Sequence, residues 1–315
     1  MTVGLRPLKN LCEVAVIGGG LAGLAAARHA ARLGRLVTLF EGSGMYGGLI
    51  ATIGHVEDLP FPGEHSGQDL AIHMLEQARK VGVRVVEANI DAIAPGDQVV
   101  LTDWEGQDWH PEAVILASGA ALRKLGVPGE EELAGRGVSR CATCDGGFYR
   151  GKTVVVTGSG DGAVHEAMVL AKTCSEVVMV CRGPLKARRE HADKLDAREN
   201  VRFVWDSEVV AVLGDGKVCG VRVRDVRSGT ESEIACDGFF PFIGVTPSSG
   251  CVPAALRTGS GHIATGTDHA TADPRLFAAG AVRADYGGTA TQAMAEGIGA
   301  AEAAHAFLKG SAHGK

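Results

Sequence analysis

Two glycine turns standing 140 residues apart constrain this chain more than any other feature. The first lies in EVAVIGGGLAGLAAARHAARLGRLVTLFEG, which reads as an apolar strand, a glycine turn, a small-residue helix and a second strand ending in Glu41. Gly18, Gly20 and Gly23 fall at G-x-G-x-x-G spacing directly after the strand, so backbone amides at the helix N-terminus can approach a pyrophosphate. Glu41, 23 residues beyond Gly18, can accept from a ribose hydroxyl. A bare G-x-G-x-x-G is weak evidence, but one embedded in strand, helix, strand and acid favours a nucleotide site over a glycine turn that merely packs a helix on a sheet.

The pattern returns in KTVVVTGSGDGAVHEAMVLAKTCSEVVMVCRG, with Gly158, Gly160 and Ala163 at the corresponding places, so two nucleotide sites are expected. Here the second strand ends in Cys181 and Arg182 instead of an acid, and Lys186, Arg188 and Arg189 follow, which favours a 2'-phosphate and so NADPH over NADH. Residues 186–199 also carry Glu190, Asp193, Asp196 and Glu199, so a mixed-charge surface helix explains the same stretch.

Between the turns, EAVILASGA (112–120) reads as a buried strand entering a turn, and FFPFIGVTPSSG (239–250) as a strand followed by a Pro-containing linker. Beyond it come a strand, a glycine loop and an alanine-rich helix from about Thr291 to Leu308, whose positive dipole end points at whatever precedes Thr291. If the first domain resumes here, the second is inserted within it. The expected fold class is α/β, with two Rossmann-like, three-layer ββα domains covering 1–120 with 246–315, and 121–245.

Composition narrows the partners. With 315 residues, 45% of them hydrophobic, the chain can build about two globular domains. A net charge of −6, with basic residues interspersed among acids, leaves no footprint for nucleic acid. No apolar run reaches the roughly 18 residues a membrane span needs, and the first 20 residues lack a leader's apolar stretch, so a cytoplasmic protein is expected. Its 45 glycines are about twice average usage, in keeping with many tight turns and close ligand approaches.

The stretch RCATCDGG sets Cys141 and Cys144 two residues apart, with Asp145 directly behind. That spacing allows a small disulfide ring or half of a tetrahedral zinc site. No second CxxC, CxxH or HxxxH exists to complete a zinc site, so no metal is expected. The other six cysteines read as small buried hydrophobes.

Taken together, CATCDGGFY, both glycine openings, GGL (47–49) and the FAAG and TQA segments resemble the low-molecular-weight thioredoxin reductases, FAD-dependent pyridine nucleotide-disulfide oxidoreductases, almost end to end. The resemblance implies an FAD domain over 1–120 and 246–315, an NADPH domain over 121–245 that carries the CxxC, and a homodimer. It places Gly18, Gly20, Gly23, Glu41, Gly47, Gly48, Leu49, Gly119, Gly280, Gln292 and Ala293 at FAD. Gly158, Gly160, Ala163, Arg182 and Lys186 fall to NADPH. It makes Cys144 the thiol that meets the flavin, Cys141 the thiol that attacks the partner disulfide, and Asp145 the proton donor and acceptor. The implied partner is a thioredoxin-like protein or a small dithiol or disulfide. A CxxC that must meet both flavin and a bulky protein also implies rotation of the inserted domain about crossings near 120 and 245.

Three departures stand against the family pattern. Its His-Arg-Arg at the 2'-phosphate reads Cys181, Arg182, Gly183, leaving one guanidinium and Lys186 as a point charge without the bidentate fork. Its Gly-Asp at the ribityl chain reads Gly280, Ala281, a loss of about 1.5–3 kcal/mol in flavin binding unless another group compensates. Its Arg before Gln-Ala is Thr291. Together they also fit an NADPH-independent dithiol oxidase or a reductase with another electron donor, whereas the intact Cys141, Cys144 and Asp145 argue against a non-catalytic flavin-binding or redox-sensing protein.

Overall fold

The computed structural model describes residues 12–56, 59, 66–96 and 98–312. The start of the chain, on which the leader reading partly rests, lies outside them. The chain divides into two compact units, 1–121 with 247–315, and 122–246.

The first unit opens with β1 (Val14–Ile17), α1 (Leu21–Arg32), β2 (Val37–Phe40), α2 (Gly67–Lys80) and β3 (Arg84–Val86). An antiparallel set follows, β4 (Ile90–Ala94), β5 (Val100–Asp103) and β6 (Asp108–Trp109), then β7 (Ala113–Leu116). The short strand β8 (Ala120–Leu122) marks the first crossing. The second unit runs through α3 (Ala142–Asp145), β9 (Thr153–Thr157), α4 (Asp161–Leu170), β10 (Glu176–Val180), α5 (Arg189–Asp196) and β11 (Val201–Val204). It continues with β12 (Ser207–Gly214), β13 (Val218–Asp225), β14 (Glu231–Ala235) and β15 (Gly238–Pro241). After the second crossing, at β16 (Val245–Pro247), the first unit resumes with β17 (Leu276–Ala278) and α6 (Ala290–Ala312).

Each unit has a parallel sheet, in the order β17-β7-β1-β2-β3 in the first and β11-β10-β9-β15 in the second. Buried on both faces, these strands are continuous apolar runs, as VAVI, AVIL and VVV show. Alternate residues serve opposite layers: Val154 and Val156 face the helices with Ala163, Ala167 and Leu170, whereas Val155 joins Val209, Val221 and Val223 on the antiparallel side. In the first unit Val14 and Val16 pack toward α1 and α6, while Ala15 and Ile17 pack toward Leu101 and Trp109. The result is the three-layer ββα arrangement, twice.

Helix α6 begins at Ala290 and continues to Ala312, extending past the alanine-rich stretch at both ends. Its alanines Ala300, Ala301 and Ala304 and Ala22, Ala25, Ala26, Ala27 and Ala30 of α1 are fully or almost fully buried, because small side chains let the two backbones come close. A Cβ on Gly297 would lie 2.1 Å from the Ala22 carbonyl oxygen. Of the six cysteines outside the CxxC, Cys12, Cys174, Cys181 and Cys236 are buried and Cys251 is half-buried, but Cys219 is exposed on β13, where the strand turns that residue to solvent. Among the described residues no helix is long and apolar enough to cross a membrane.

Gly297→Ala is expected to cost about 1–3 kcal/mol through overpacking, read as a lower denaturant midpoint. Gly310→Ala, which meets nothing within 4 Å, is the control and should be neutral or slightly stabilising.

Candidate active site

In the first unit the glycine turn is shaped by backbone contact. Gly18 has φ of +106° and donates to the Phe40 carbonyl at 2.8 Å, and a Cβ on it would sit 2.3 Å from the Ala117 oxygen. A Cβ on Gly23 would fall 1.9 Å from the Gly18 oxygen, so α1 seats directly on the turn. Gly20 caps α1 without a side-chain partner, and no acid stands in its first turn, leaving the amides there free of protein anions. Gly47 donates to the Gly19 carbonyl at 2.8 Å, bringing Gly48 and Leu49 beside the turn, where a Cβ on Gly20 would lie 3.7 Å from the Gly47 oxygen and one on Gly48 3.9 Å from the Gly20 Cα.

Glu41 is drawn in as well. Its Oε2 accepts from the Gly19 amide at 2.7 Å, and its Oε1 accepts from the Ser43 amide and hydroxyl. Gly119 stands just beyond β7, accepting from the Ser248 amide at 2.9 Å, and Gly280 lies against Ala22 of α1. Gln292 and Ala293 occupy the first turn of α6. The Gln292 amide donates through Nε2 to Glu296 and accepts from the Gly287 amide. Glu296, buried, also accepts from the Gly280 amide at 2.8 Å and from Arg283. Glu296 thus ties the Gly280 turn to Gln292, a role the sequence reading missed. The available signal was an acid one turn after Gln292 in a helix otherwise rich in alanine and glycine.

In the second unit Gly158 has φ of +139°, and a Cβ there would lie 2.1 Å from the Phe242 oxygen. Gly160 caps α4 without a side-chain partner, and the methyl of the buried Ala163 lies 2.9 Å from where a Cβ on Gly158 would stand. The backbone amide of Lys186 donates to the Ser159 carbonyl at 2.7 Å, so the basic stretch returns to the turn. Arg182 and Lys186 are exposed, and among the described residues neither enters an ion pair. Arg188 is occupied by Asp161, and Arg189 pairs with Asp193 along α5. Burial pushes the Cys181 thiol up to about 11, so it stays protonated and donates to the Gly158 carbonyl at 3.3 Å.

Cys141 and Cys144 form a disulfide with Cα atoms 5.3 Å apart. Cys141, buried, is the N-cap of α3, its extended backbone held by the Ser139 hydroxyl, and its sulfur accepts from the Cys144 amide at 3.0 Å. Cys144 is exposed and Asp145 half-buried, while Phe148 just beyond is 76% exposed. Burial first, and Asp145 second, push the neighbouring Tyr149 hydroxyl above its ordinary range. Two buried carboxylates, both missed by the sequence reading, hold this segment. Glu130, 1% exposed, accepts from Arg140, Leu125 and Gly126, and Glu166 accepts from the Ala142 amide at 2.6 Å.

Two dinucleotide-type turns and a CxxC disulfide standing before one of them define a disulfide oxidoreductase of the two-nucleotide-fold class. The family model for pyridine nucleotide-disulphide oxidoreductases matches residues 12–297, and the chain belongs to that family. It is 37% identical over 298 residues to a thioredoxin reductase of Treponema pallidum, covering 94% of this chain and 97% of that one. The crystal structure of Lactococcus lactis thioredoxin reductase in its FR conformation superposes with a TM-score of 0.91 at 32% identity, covering 95% of this chain and all of that one. Thioredoxin reductase from T. acidophilum gives a TM-score of 0.88 at 26% identity, over 96% of this chain and 100% of that one. The chain is a thioredoxin reductase-like flavoenzyme.

Glu130→Ala leaves Arg140 and two amides without their buried partner and is expected to cost about 3–5 kcal/mol, measured by denaturant unfolding. An alkaline effect follows from Cys181, and from Cys236, which burial pushes up to about 12. Because these folded values lie above the ordinary value of 9.0, the contribution to stability is intact below pH 9 and is lost as pH rises towards 11. Unfolding midpoints across that window should fall less steeply in Cys181→Ala.

Proposed function

We propose that the protein passes electrons from NADPH through FAD to the Cys141–Cys144 disulfide, and from the reduced pair to a thioredoxin-like protein disulfide or a small disulfide. The observation that carries this reading is the Cys141–Cys144 disulfide, whose Cys141 sulfur caps a helix and accepts an amide hydrogen. Such an environment favours a nucleophilic thiolate.

The residues fit the cofactors the family implies. Residues 1–120 and 246–315 would hold FAD, with Gly18, Gly20 and Gly23 at its pyrophosphate and Glu41 keeping a lone pair on Oε2 for a ribose hydroxyl. Gly47, Gly48, Leu49, Gly119, Gly280, Gln292 and Ala293 would line the remainder. The carboxylate absent at Ala281 has a counterpart one residue away, where Glu296 meets the Gly280 amide. Residues 121–245 would hold NADPH through Gly158, Gly160 and Ala163, with Arg182 and Lys186 free to meet a 2'-phosphate. Bound FAD would supply two-electron transfer between the pyridine nucleotide and the disulfide.

The chain's own residues do the thiol chemistry. The Cys141 thiolate attacks one sulfur of the partner disulfide, forming a mixed disulfide and releasing the partner's other sulfur as a thiolate that Asp145 protonates. The Cys144 thiolate then attacks Cys141, restoring the Cys141–Cys144 bond and releasing the second partner thiol. A homodimer in the cytoplasm completes the proposal.

A second reading, in which electrons enter from a dithiol or another donor and leave to oxygen, draws on the occupation of Arg188 by Asp161, which thins the 2'-phosphate site. One experiment separates the two: the flavin-loaded protein is mixed anaerobically with NADPH, then NADH, while flavin absorbance is followed. Bleaching by NADPH supports the first reading, and bleaching by a dithiol alone supports the second. Cys144→Ser should retain flavin and lose all reduction of protein disulfides, and retained turnover would remove the pair from the mechanism.

A further inference from the structure

Glu166 stands on α4, 3% exposed, and its Oε2 takes the amide of Ala142, the first residue of the short helix that carries the redox pair. The neighbouring amide bond to sulfur runs the other way in charge terms: Cys144 N–H points at Cys141 Sγ and stabilises negative charge there. Cys141 therefore sits between an amide that favours its thiolate and a buried carboxylate, one residue away, that opposes it. The charged or titratable groups on the segments that meet here are Asp145 on α3, Glu166 and His165 on α4, which packs against α3, Tyr149 beyond the helix, and Arg140 before it. Arg140 is held by Glu130, and His165 Nδ1 lies 3.7 Å from Glu166 Oε1.

We propose that Glu166 is a positioning residue for the redox pair: it fixes the start of the CxxC helix through the Ala142 amide, and its negative charge restrains ionisation of the Cys141 thiol. The inference rests on the reading of Cys141 and Cys144 as the redox centre. Holding the first thiol partly protonated keeps it from the indiscriminate attack and oxidation that a permanent, low-pKa thiolate suffers.

The test uses the full chain, reduced with dithiothreitol, and follows iodoacetamide alkylation of the Cys141 peptide by mass spectrometry across pH. Reduction breaks the S–S bond with two electrons and two protons supplied by the dithiothreitol thiols, which close into its cyclic disulfide. Glu166→Gln keeps an oxygen acceptor at the same reach and removes the charge, so the Cys141 alkylation profile should move to lower pH, with a rate at pH 7 about tenfold above the parent. Glu166→Asp, which keeps the charge, should return towards the parent profile. A Glu166→Gln profile that coincides with the parent overturns the inference and leaves Glu166 a structural cap. If Glu166→Gln does not accumulate folded, the carbon-13 carboxyl resonance of Glu166 in the parent decides: a shift between disulfide and dithiol states supports the coupling, and an unchanged resonance overturns it. Parent protein whose Cys141 is not released by dithiothreitol removes the redox-centre reading and the inference together, a result distinct from a coincident Gln profile.

Discussion

The Gly18 carbonyl and Gly23 lie so close that a Cβ on residue 23 would fall 1.9 Å from the oxygen, and the end of the first parallel sheet is arranged around that approach. Because α1 can descend onto the turn, its first amides point outward with no side chain to satisfy them, a donor set suited to an anion. The same descent brings α1 against α6, where Gly297 meets the Ala22 carbonyl and Gly280 meets the Ala22 side chain. One steric condition therefore couples the turn, the helix pairing and the position of the loop before α6. The second unit meets the condition differently. Ala163 replaces the third glycine, and a Cβ on Gly158 would lie 2.1 Å from the Phe242 oxygen and 2.9 Å from the Ala163 methyl, so that turn is hemmed in by backbone and by a side chain of α4.

Buried carboxylates do the rest of the positioning. Glu296, Glu130 and Glu166 each accept at least one backbone amide from a loop or helix start that has no regular partner of its own. A carboxylate can take several donors at once, so one side chain on a rigid element orders an irregular segment that backbone pairing cannot. Burial makes each such contact costly to break, since the charge has no water to fall back on. The irregular segments held this way lie at the proposed chemistry or lead into it: the Gly280 turn, the loop from Leu125 and Gly126 to Arg140, and the CxxC helix.

Much of this was legible in the amino-acid sequence, for a physical reason. Parallel strands buried on both faces must be continuous apolar runs, and a helix seated on a turn must be preceded by glycine, so β1, β9, their turns and the helices after them are written locally. The CxxC is equally local, because three residues suffice to bring two thiols to bonding distance. The alternatives attached to residues 186–199 also resolved locally in part: a helix forms over Arg189–Asp196, while Lys186 remains on the loop that returns to Ser159.

What the sequence by itself determined is the class of fold, the two glycine turns and the redox pair, because each depends on residues within a few positions of one another. Tertiary structure alone decided which acids matter. Glu166 lies 24 residues from Ala142, Glu296 lies 16 from Gly280, and Glu41 spends part of its carboxylate on Gly19 rather than standing wholly free. It also decided that Arg188 is occupied by Asp161 and that Cys219 faces solvent. A carboxylate's partner is chosen by where packing leaves an amide unpaired, and that follows from the folded backbone, not from the spacing of residues along the chain.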